Sequence, residues 1–405
     1  MEVGSDGISN NEKAVLLLEK RTFKELLVDM ELRNLQNNIV GQEASRLFAR
    51  AEINMGVEAF RDSLYSLLKR NTFLNIKFEN MLDTLGEISR TDIRSLLGEW
   101  EKTTPLPFYS LGEPTLTKIT NKGGEEFFVL KMLISNNSDY DGIIHMDIRK
   151  DGWWYQPLED PRAKTKIEMP AHTSKEFVSV WEDQIRNVEI NTMVSGNLPN
   201  IISQDINNVK QERNKIVKDS IYILPESSFD LPGEIIVDNE DSTLFILSAP
   251  PIVGLLPKWL DEVEETPFKY SVISWWRPPL QWTATTNDRY YGKYIRSAFV
   301  IKSGDGSQTA TWKVPVPEVG QYDLYYHVFK DDELRWNNNL QGEYHFKVKY
   351  GSEVEDAYVN LRKANEGWEQ LGSYYFDSDT IRVVLTDECK LRSVTADAVK
   401  IVKRY

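Results

Sequence analysis

The spacing of apolar residues changes at two prolines, and this change separates a helical part of the chain from a β-rich part. Before Pro105, apolar side chains recur at helical spacing, as they do at Phe60, Leu64, Leu67 and Leu68. After Pro107, apolar and polar residues alternate with the period of a β-strand, as they do at Ile144, Met146 and Ile148. Proline lacks an amide hydrogen and clashes with the preceding helical turn, so Pro105 and Pro107 end the helical part.

Turn-forming clusters and one polar segment divide the β-rich part again. Short strands between clusters rich in Asn, Gly, Ser and Asp predict a β-sandwich of immunoglobulin-like size over residues 111–202. Polar and charged residues predominate in 203–232, which is predicted to be a linker. A second β-rich region follows over 233–405. With a helical array at 1–110, the predicted fold class is multidomain α + β.

Charge and hydropathy argue against nucleic-acid binding and against a membrane-spanning segment. The 48 Lys and Arg residues against 62 Asp and Glu residues give a formal net charge of −14. Nucleic-acid binding needs a basic face that displaces counterions, so no nucleic-acid partner is expected. No run of about 18 uninterrupted apolar residues is present, so no direct membrane span is expected. Met1 is followed by Glu2 and Asp6 without a basic and an apolar region, so no signal peptide is predicted.

The histidines and the single cysteine do not form a catalytic pattern. A zinc peptidase of the HExxH type needs two histidines one helical turn apart, with a glutamate between them. The four histidines are His145, His172, His327 and His345, and no two of them are four residues apart. Cys389 has Glu388 and Lys390 beside it and no histidine near it in sequence. We therefore predict that this chain is not an enzyme.

The helical part resembles the C-terminal helices of the M1-family zinc aminopeptidases. Three stretches carry the resemblance: Met55–Arg61, Glu87–Ile93 leading to Trp100, and Leu106–Tyr109. The segment from Glu189 to Pro199 resembles the end of the β-domain that can follow such helices. Because the zinc motif is missing, the resemblance implies a scaffold derived from a peptidase, or the C-terminal part of a peptidase whose catalytic segment is not in this chain.

Residues 233–405 resemble the golvesin/xanthan-lyase carbohydrate-binding-like domain. The resemblance rests on Ile236–Asp241, Tyr291–Tyr294, Gly367–Phe376 and Thr395–Lys400. It implies a jelly-roll β-sandwich of the galactose-binding-like type, a carbohydrate ligand, and an extracellular, periplasmic or cell-surface location. The apolar, Pro-rich stretch 248–285 departs from the pattern and has the character of an insertion.

Aromatic residues supply the candidate ligand-binding sites of this C-terminal region. The chain has 11 Trp and 18 Tyr, and flat aromatic rings stack on the C–H face of a sugar while polar groups bind its hydroxyls. Two clusters combine these features, and Trp312 and Trp368 are instead assigned to the core because they lie in regular strand patterns. The predicted ligand-binding residues are Arg335, Trp336, Asn337 and Asn338 in an Asn-rich loop, and Trp282, Tyr290 and Tyr291.

Three acids form the one candidate metal site. Asp238, Glu240 and Asp241 could give oxygen ligands to a structural calcium ion, and no other cofactor is expected. In the alternative interpretation, these acids cap backbone N–H groups of a turn.

The predicted function is a non-catalytic binding or scaffold protein of the bacterial cell envelope, which recognises carbohydrate or a protein partner through its C-terminal domain. The alternative is the C-terminal part of a zinc-dependent M1-like aminopeptidase. A purely structural module that positions its neighbours is a third hypothesis.

Overall fold

The structure is a computed structural model, and it describes residues 7–72, 74–90, 92–94, 102–121, 123–150, 156–213, 217–225, 233–248, 268–274, 276–330 and 342–404. The chain divides into two compact units. The first unit is Ser9–Phe229, and the second contains Asp230–Tyr405 together with Met1–Ile8. None of the described helices is long and apolar enough to cross a membrane.

The first unit begins with helices whose starts are fixed by side-chain caps. Ser9 and Glu12 cap each other's backbone N–H groups at the first helix, and Thr22 and Glu25 do the same at the second. The α-helices of the described residues are α1 (Asn10–Lys20), α2 (Phe23–Val28), α3 (Gln36–Met55), α4 (Val57–Arg70) and α5 (Phe78–Ser89). Their apolar faces pack in two clusters, one that contains Leu18 and Ile39 and one that contains Leu67 and Leu85.

Two β-sheets follow in the first unit. Their strands in chain order are β1 (Tyr109–Leu111), β2 (Thr115–Thr120), β3 (Glu126–Asn136), β4 (Gly142–Lys150), β5 (Gln156–Pro157), β6 (Lys164–Met169), β7 (Thr173–Trp181), β8 (Ile185–Asn191), β9 (Ile201–Asp205), β10 (Val209–Arg213) and β11 (Ser220–Pro225). One sheet has the order β10-β2-β3-β7-β11 with β1 beside β3, and the other has the order β5-β4-β8-β9 with β6 beside β4. Leu130 and Met132 of the first sheet share a buried core with Ile144 and Met146 of the second, so the two sheets form a β-sandwich.

The predicted linker is wrong over most of its described residues. Strand β9 pairs with β8, β10 pairs with β2, and β11 pairs with β7, so this segment adds strands to both sheets. The polar residues of β10 reflect its exposure. Among the described strands, β10 and β11 lie at the two edges of their sheet.

The second unit consists of strands in three sheets. The strands are β12 (Glu234–Val237), β13 (Phe245–Ser248), β14 (Thr283–Thr286), β15 (Ser297–Lys302), β16 (Thr309–Pro315), β17 (Gly320–Val328), β18 (Glu343–Tyr350), β19 (Glu353–Asn360), β20 (Gly367–Phe376), β21 (Thr380–Thr386), β22 (Ser393–Ala396) and β23 (Val399–Lys403). The sheet orders are β12-β23-β17-β20, β13-β16-β21-β18-β19 and β14-β15-β22. A continuous aromatic and aliphatic core joins the four- and five-stranded sheets, with Trp312, Tyr326 and Phe346 fully buried.

The coarse prediction of a multidomain α + β chain is confirmed, since helices at the N-terminal end precede β-sheets packed face to face. Trp312 lies in the core, as predicted.

Candidate functional site

The outer face of the four-stranded sheet in the second unit carries an unusual set of aromatic and ionisable residues. Strand β17 buries every second side chain, from Tyr322 to Val328. The intervening residues therefore lie on the opposite face of the sheet, and His327 is one of them. His327 is in register with Trp368 of β20, so the two side chains meet on that face.

Three rings form the aromatic cluster of this site: Tyr291, His327 and Trp368. The ring centroids are 5.2 Å apart for His327 and Trp368, 5.1 Å for Tyr291 and Trp368, and 5.7 Å for Tyr291 and His327. All three pairs are tilted or edge-on, the arrangements that aromatic quadrupoles favour. Each ring is partly exposed, so the aromatic cluster presents apolar surface to solvent.

A lysine from β23 lies beside the aromatic cluster. Lys400 Nζ is 4.8 Å from the centroid of Trp368 and 5.4 Å from that of Tyr325 on β17. The same ammonium forms an ion pair with Glu234 Oε1 of β12 at 2.9 Å. These contacts hold a positive charge against two aromatic faces.

A buried aspartate between β22 and β23 orients the aromatic cluster. Asp397 has no exposed surface, and its carboxylate accepts the backbone N–H of Tyr291 at 3.1 and 3.2 Å. His327 Nδ1 lies 2.8 Å from Asp397 Oδ2. Burial raises the pKa of Asp397, and the nearby His327 works against that rise. When Asp397 is ionised it can only accept, so Nδ1 carries the proton. In the neutral imidazole, Nε2 is then left to accept a hydrogen bond.

The three acids predicted to bind calcium have other partners. Asp241 Oδ2 accepts the backbone N–H of Asp238 at 2.9 Å, as the alternative interpretation requires. Glu240 accepts the hydroxyl of Tyr270 at 3.1 Å and pairs with Lys269. In the part of the chain that the structure describes, no group of three His, Cys, Asp or Glu side chains is placed to hold a metal ion. The calcium prediction for Asp238, Glu240 and Asp241 is therefore not supported.

The other predicted ligand residues are separated or lie outside the described residues. Arg335, Trp336, Asn337 and Asn338 lie outside the described residues, and their role stays a prediction. Trp282 packs against the core of the second unit. Tyr290 is 2% exposed and its ring lies 4.6 Å from that of Phe329, which leaves no face open for a sugar.

Of the predicted residues that the structure describes, Tyr291 alone joins the aromatic cluster, and sequence reasoning missed His327 and Trp368. The assignment of Trp368 to the core is wrong, because its side chain lies on the outer face and is partly exposed. The alternation of Tyr322, Leu324, Tyr326 and Val328 was the available signal, since it places His327 on the opposite face.

Comparison with known proteins gives one family match. Residues 278–403 match the family model of the Golvesin C-terminal domain. This confirms the golvesin-like resemblance of the C-terminal region over these residues. A search of curated proteins gave no match.

Several solved structures are similar to the chain at low identity. Xanthan lyase of Paenibacillus is 15% identical with a TM-score of 0.31, and the match covers 75% of this chain and 27% of that one. TmCBM61, solved with β-1,4-galactotriose, is 14% identical with a TM-score of 0.18, covering 30% and 77%. Aminopeptidase A of Legionella pneumophila is 15% identical with a TM-score of 0.19, covering 37% and 16%.

The chain thus spans about a quarter of the length of the xanthan lyase, as the 27% coverage shows. TM-scores below 0.5 do not establish a shared fold, and the M1-like character of the helices stays a prediction.

Proposed function

We propose that this chain is a non-catalytic binding or scaffold protein of the cell envelope, whose second unit binds carbohydrate at the aromatic cluster of Tyr291, His327 and Trp368. The observation that carries the proposal is the partly exposed Trp368 beside a histidine that a buried aspartate orients. The match to the Golvesin C-terminal domain covers these residues and supports the proposal.

The aromatic cluster has the chemistry that a sugar ring requires. An indole face binds the C–H side of a pyranose by apolar burial and dispersion. His327 Nε2 can accept a hydrogen bond from a sugar hydroxyl. In the ion pair, the Lys400 ammonium can donate to a hydroxyl and the Glu234 carboxylate can accept from one. The buried hydrogen bonds to Asp397 fix the His327 ring and the Tyr291 backbone before a ligand arrives, and this lowers the entropy that binding costs.

The proposal includes a finer description of the fold and of the location. The second unit is proposed to be a jelly roll of the galactose-binding-like type, and the protein to act outside the cell or at its surface. The golvesin-like resemblance of the second unit supports both statements. A protein partner at the same face is a second outcome of the binding experiments.

The helical part is proposed to be scaffold. None of the four histidines is four residues from another, so the chain cannot form the HExxH zinc site of an M1 peptidase by itself. The alternative of a peptidase fragment would need the zinc ligands to come from outside the chain.

A glycan titration tests carbohydrate binding. Soluble neutral and uronic-acid polysaccharides are titrated into the protein while tryptophan emission is recorded, and calorimetry gives the affinities of variants. We expect one glycan class to quench or shift the emission. Trp368→Ala should weaken its binding by about tenfold or more, since large buried aromatic rings dominate such contacts.

The matched control is Tyr358→Ala. Tyr358 is an exposed ring on β19 that stacks on His345 with centroids 4.8 Å apart, and it lies on a different sheet from Trp368. Its removal should leave glycan affinity unchanged. If no glycan changes the emission, or if Trp368→Ala binds as well as the wild type, the carbohydrate proposal is wrong.

A further inference from the structure

The first unit contains a cavity that the proposed carbohydrate site does not involve. Its volume is about 220 Å³, and it lies where α3, the segment before β1, the turn before β4 and the loop between β8 and β9 meet. A cavity of this size admits a ligand of on the order of ten non-hydrogen atoms.

Two motifs of the M1-like resemblance interlock to form one wall of the cavity. The backbone N–H of Gly196 donates to the carbonyl of Pro107 at 2.9 Å. The side-chain amide of Asn197 accepts the N–H of Tyr109 at 2.9 Å and donates to its carbonyl at 2.8 Å. A Cβ atom at Gly196 would lie 2.1 Å from the Phe108 ring, so the two segments pack as closely as they can. The wall is therefore preformed.

Two arginines and one aspartate supply the charged part of the cavity lining. The aspartate, Asp141, is exposed, and its Oδ1 accepts the backbone N–H of Ala171 at 2.8 Å. Arg46 and Arg50 are one turn apart on α3 and both line the cavity. Arg46 pairs with the buried Glu43 at 2.6 Å, and Glu43 also accepts the hydroxyl of Thr104 at 3.3 Å. Burial and the charge of Arg46 lower the pKa of Arg50. The carboxylates of Glu43, Asp141 and Glu168 partly offset this lowering of the Arg50 pKa. An anion in the cavity would offset it further.

A buried hydroxyl at the same wall has no hydrogen-bond partner among the described residues. Tyr109 is fully buried, and its hydroxyl oxygen would lie 1.8 Å from a Cβ atom at Gly142, a residue that lines the cavity. An unsatisfied buried donor is costly, and native structures rarely retain one without a reason. Met193, also a lining residue, has a left-handed backbone with φ 54°. Such conformations concentrate at ligand sites.

We propose that this cavity binds the carboxylate of a small organic acid, with Arg50 and Arg46 facing the carboxylate and Pro105, Ile143 and Val194 covering a short apolar tail. The proline and aliphatic walls favour an organic acid over an inorganic anion, because an inorganic anion would leave them in contact with water. Tyr109 donates its hydroxyl to the bound acid or to a water beside it. A free acid and the C-terminal residue of a peptide present the same chemistry.

Calorimetry on the full chain with matched probes tests the proposal. Isovalerate is the free acid, isovaleramide is its neutral isostere, N-acetyl-leucine represents a peptide C-terminus, and sulfate represents an inorganic anion. We expect isovalerate or N-acetyl-leucine to bind at least tenfold more tightly than isovaleramide and sulfate, and the better of the two identifies the source. Equal binding of the amide, tighter binding of sulfate, or no binding of either acid at 10 mM, on the order of the weakest specific affinities, would overturn the proposal.

Variants assign the binding to this cavity. Arg50→Met should weaken binding of the better acid by about tenfold or more, Arg50→Lys should weaken it less, and Tyr109→Phe should weaken it a few-fold. The control is Arg61→Met, because Arg61 pairs with Glu58 three residues away as Arg46 pairs with Glu43, but on the exposed surface of α4. If Arg50→Met does not fold, the affinity of Arg50→Lys and the comparison of isovalerate with isovaleramide still test whether the acid binds in this cavity. Wild-type affinity in both Arg50 variants would contradict the assignment.

Discussion

At the scale of single residues, strand pairing decides which tryptophan side chains lie in the core and which lie on an outer face. Trp312 and Trp368 both lie in regular strand patterns, yet one is fully buried and the other lies partly exposed on an outer face. A strand has two faces, and only its pairing decides which of them meets the core. The register of β17 with β20 and β23 sets this choice for Trp368, and those strands are 40 to 80 residues apart in the chain. The types of residue in the site were therefore predictable from the sequence, while the particular residues were not.

The raised pKa of Asp238 makes a testable contribution to stability at this scale. Burial raises the pKa of Asp238 well above its ordinary value, and the negative charge of Asp397 adds to the rise. Such a carboxyl stabilises the fold fully only below its unfolded pKa of about 3.9, and that contribution is lost as pH rises through the folded pKa. Asp238→Asn stays neutral, so the second unit of the variant should melt a few degrees higher than the wild type at pH 8.

The gain of Asp238→Asn should shrink as pH falls toward 4, and melting curves across this range measure it. Asp305→Asn is the control, because the hydrogen bond from Ser307 lowers the pKa of the exposed Asp305. It should give no gain at pH 8. A pH-independent difference, or a loss of stability in Asp238→Asn at pH 8, would contradict the argument.

At the scale of elements, the helices and the central strands were predictable because their apolar spacing is regular. The edge strands were not. Strand β10 reads Val209–Arg213, with mostly polar and exposed residues, and its pairing with β2 is parallel. Strand β11 shows exposed apolar residues such as Ile223. An edge strand is held mainly by backbone hydrogen bonds to one neighbour. The pattern of side chains along the sequence does not predict these bonds.

Hydrogen exchange distinguishes these strands from a linker. Peptides covering Ile201–Asp205 and Ser220–Pro225 should exchange much more slowly than an unstructured chain, because their amides alternate in hydrogen bonds to β8 and β7. The same peptides from the protein unfolded in denaturant serve as the fast-exchanging reference. Exchange at the rate of an unfolded chain over both strands would restore the linker interpretation.

At the scale of the whole molecule, long-range contacts join the helices to the sandwich in one compact unit. The helices and the sandwich were predicted as separate domains, whereas Ser9–Phe229 is one compact unit. Lys166 of β6 pairs with Glu52 of α3, and Thr104 bonds to Glu43 of the same helix. Contacts between residues 61 to 114 positions apart join helix and sandwich, and composition along the chain does not reveal them.

Two compact units, each with its own proposed ligand, predict two separable thermal transitions. Scanning calorimetry should resolve one transition for Ser9–Phe229 and one for the second unit. Gly196→Ala should lower the free energy of unfolding of the first unit alone, by roughly 1–3 kcal/mol, because the added methyl group overlaps Phe108. Asp238→Asn should raise only the second. A ligand stabilises the unit that binds it. An organic acid should therefore raise the melting temperature of the first unit, which Gly196→Ala lowers. A glycan should raise the melting temperature of the second unit, as Asp238→Asn does. A single transition that all four changes move together would show that the two units unfold as one.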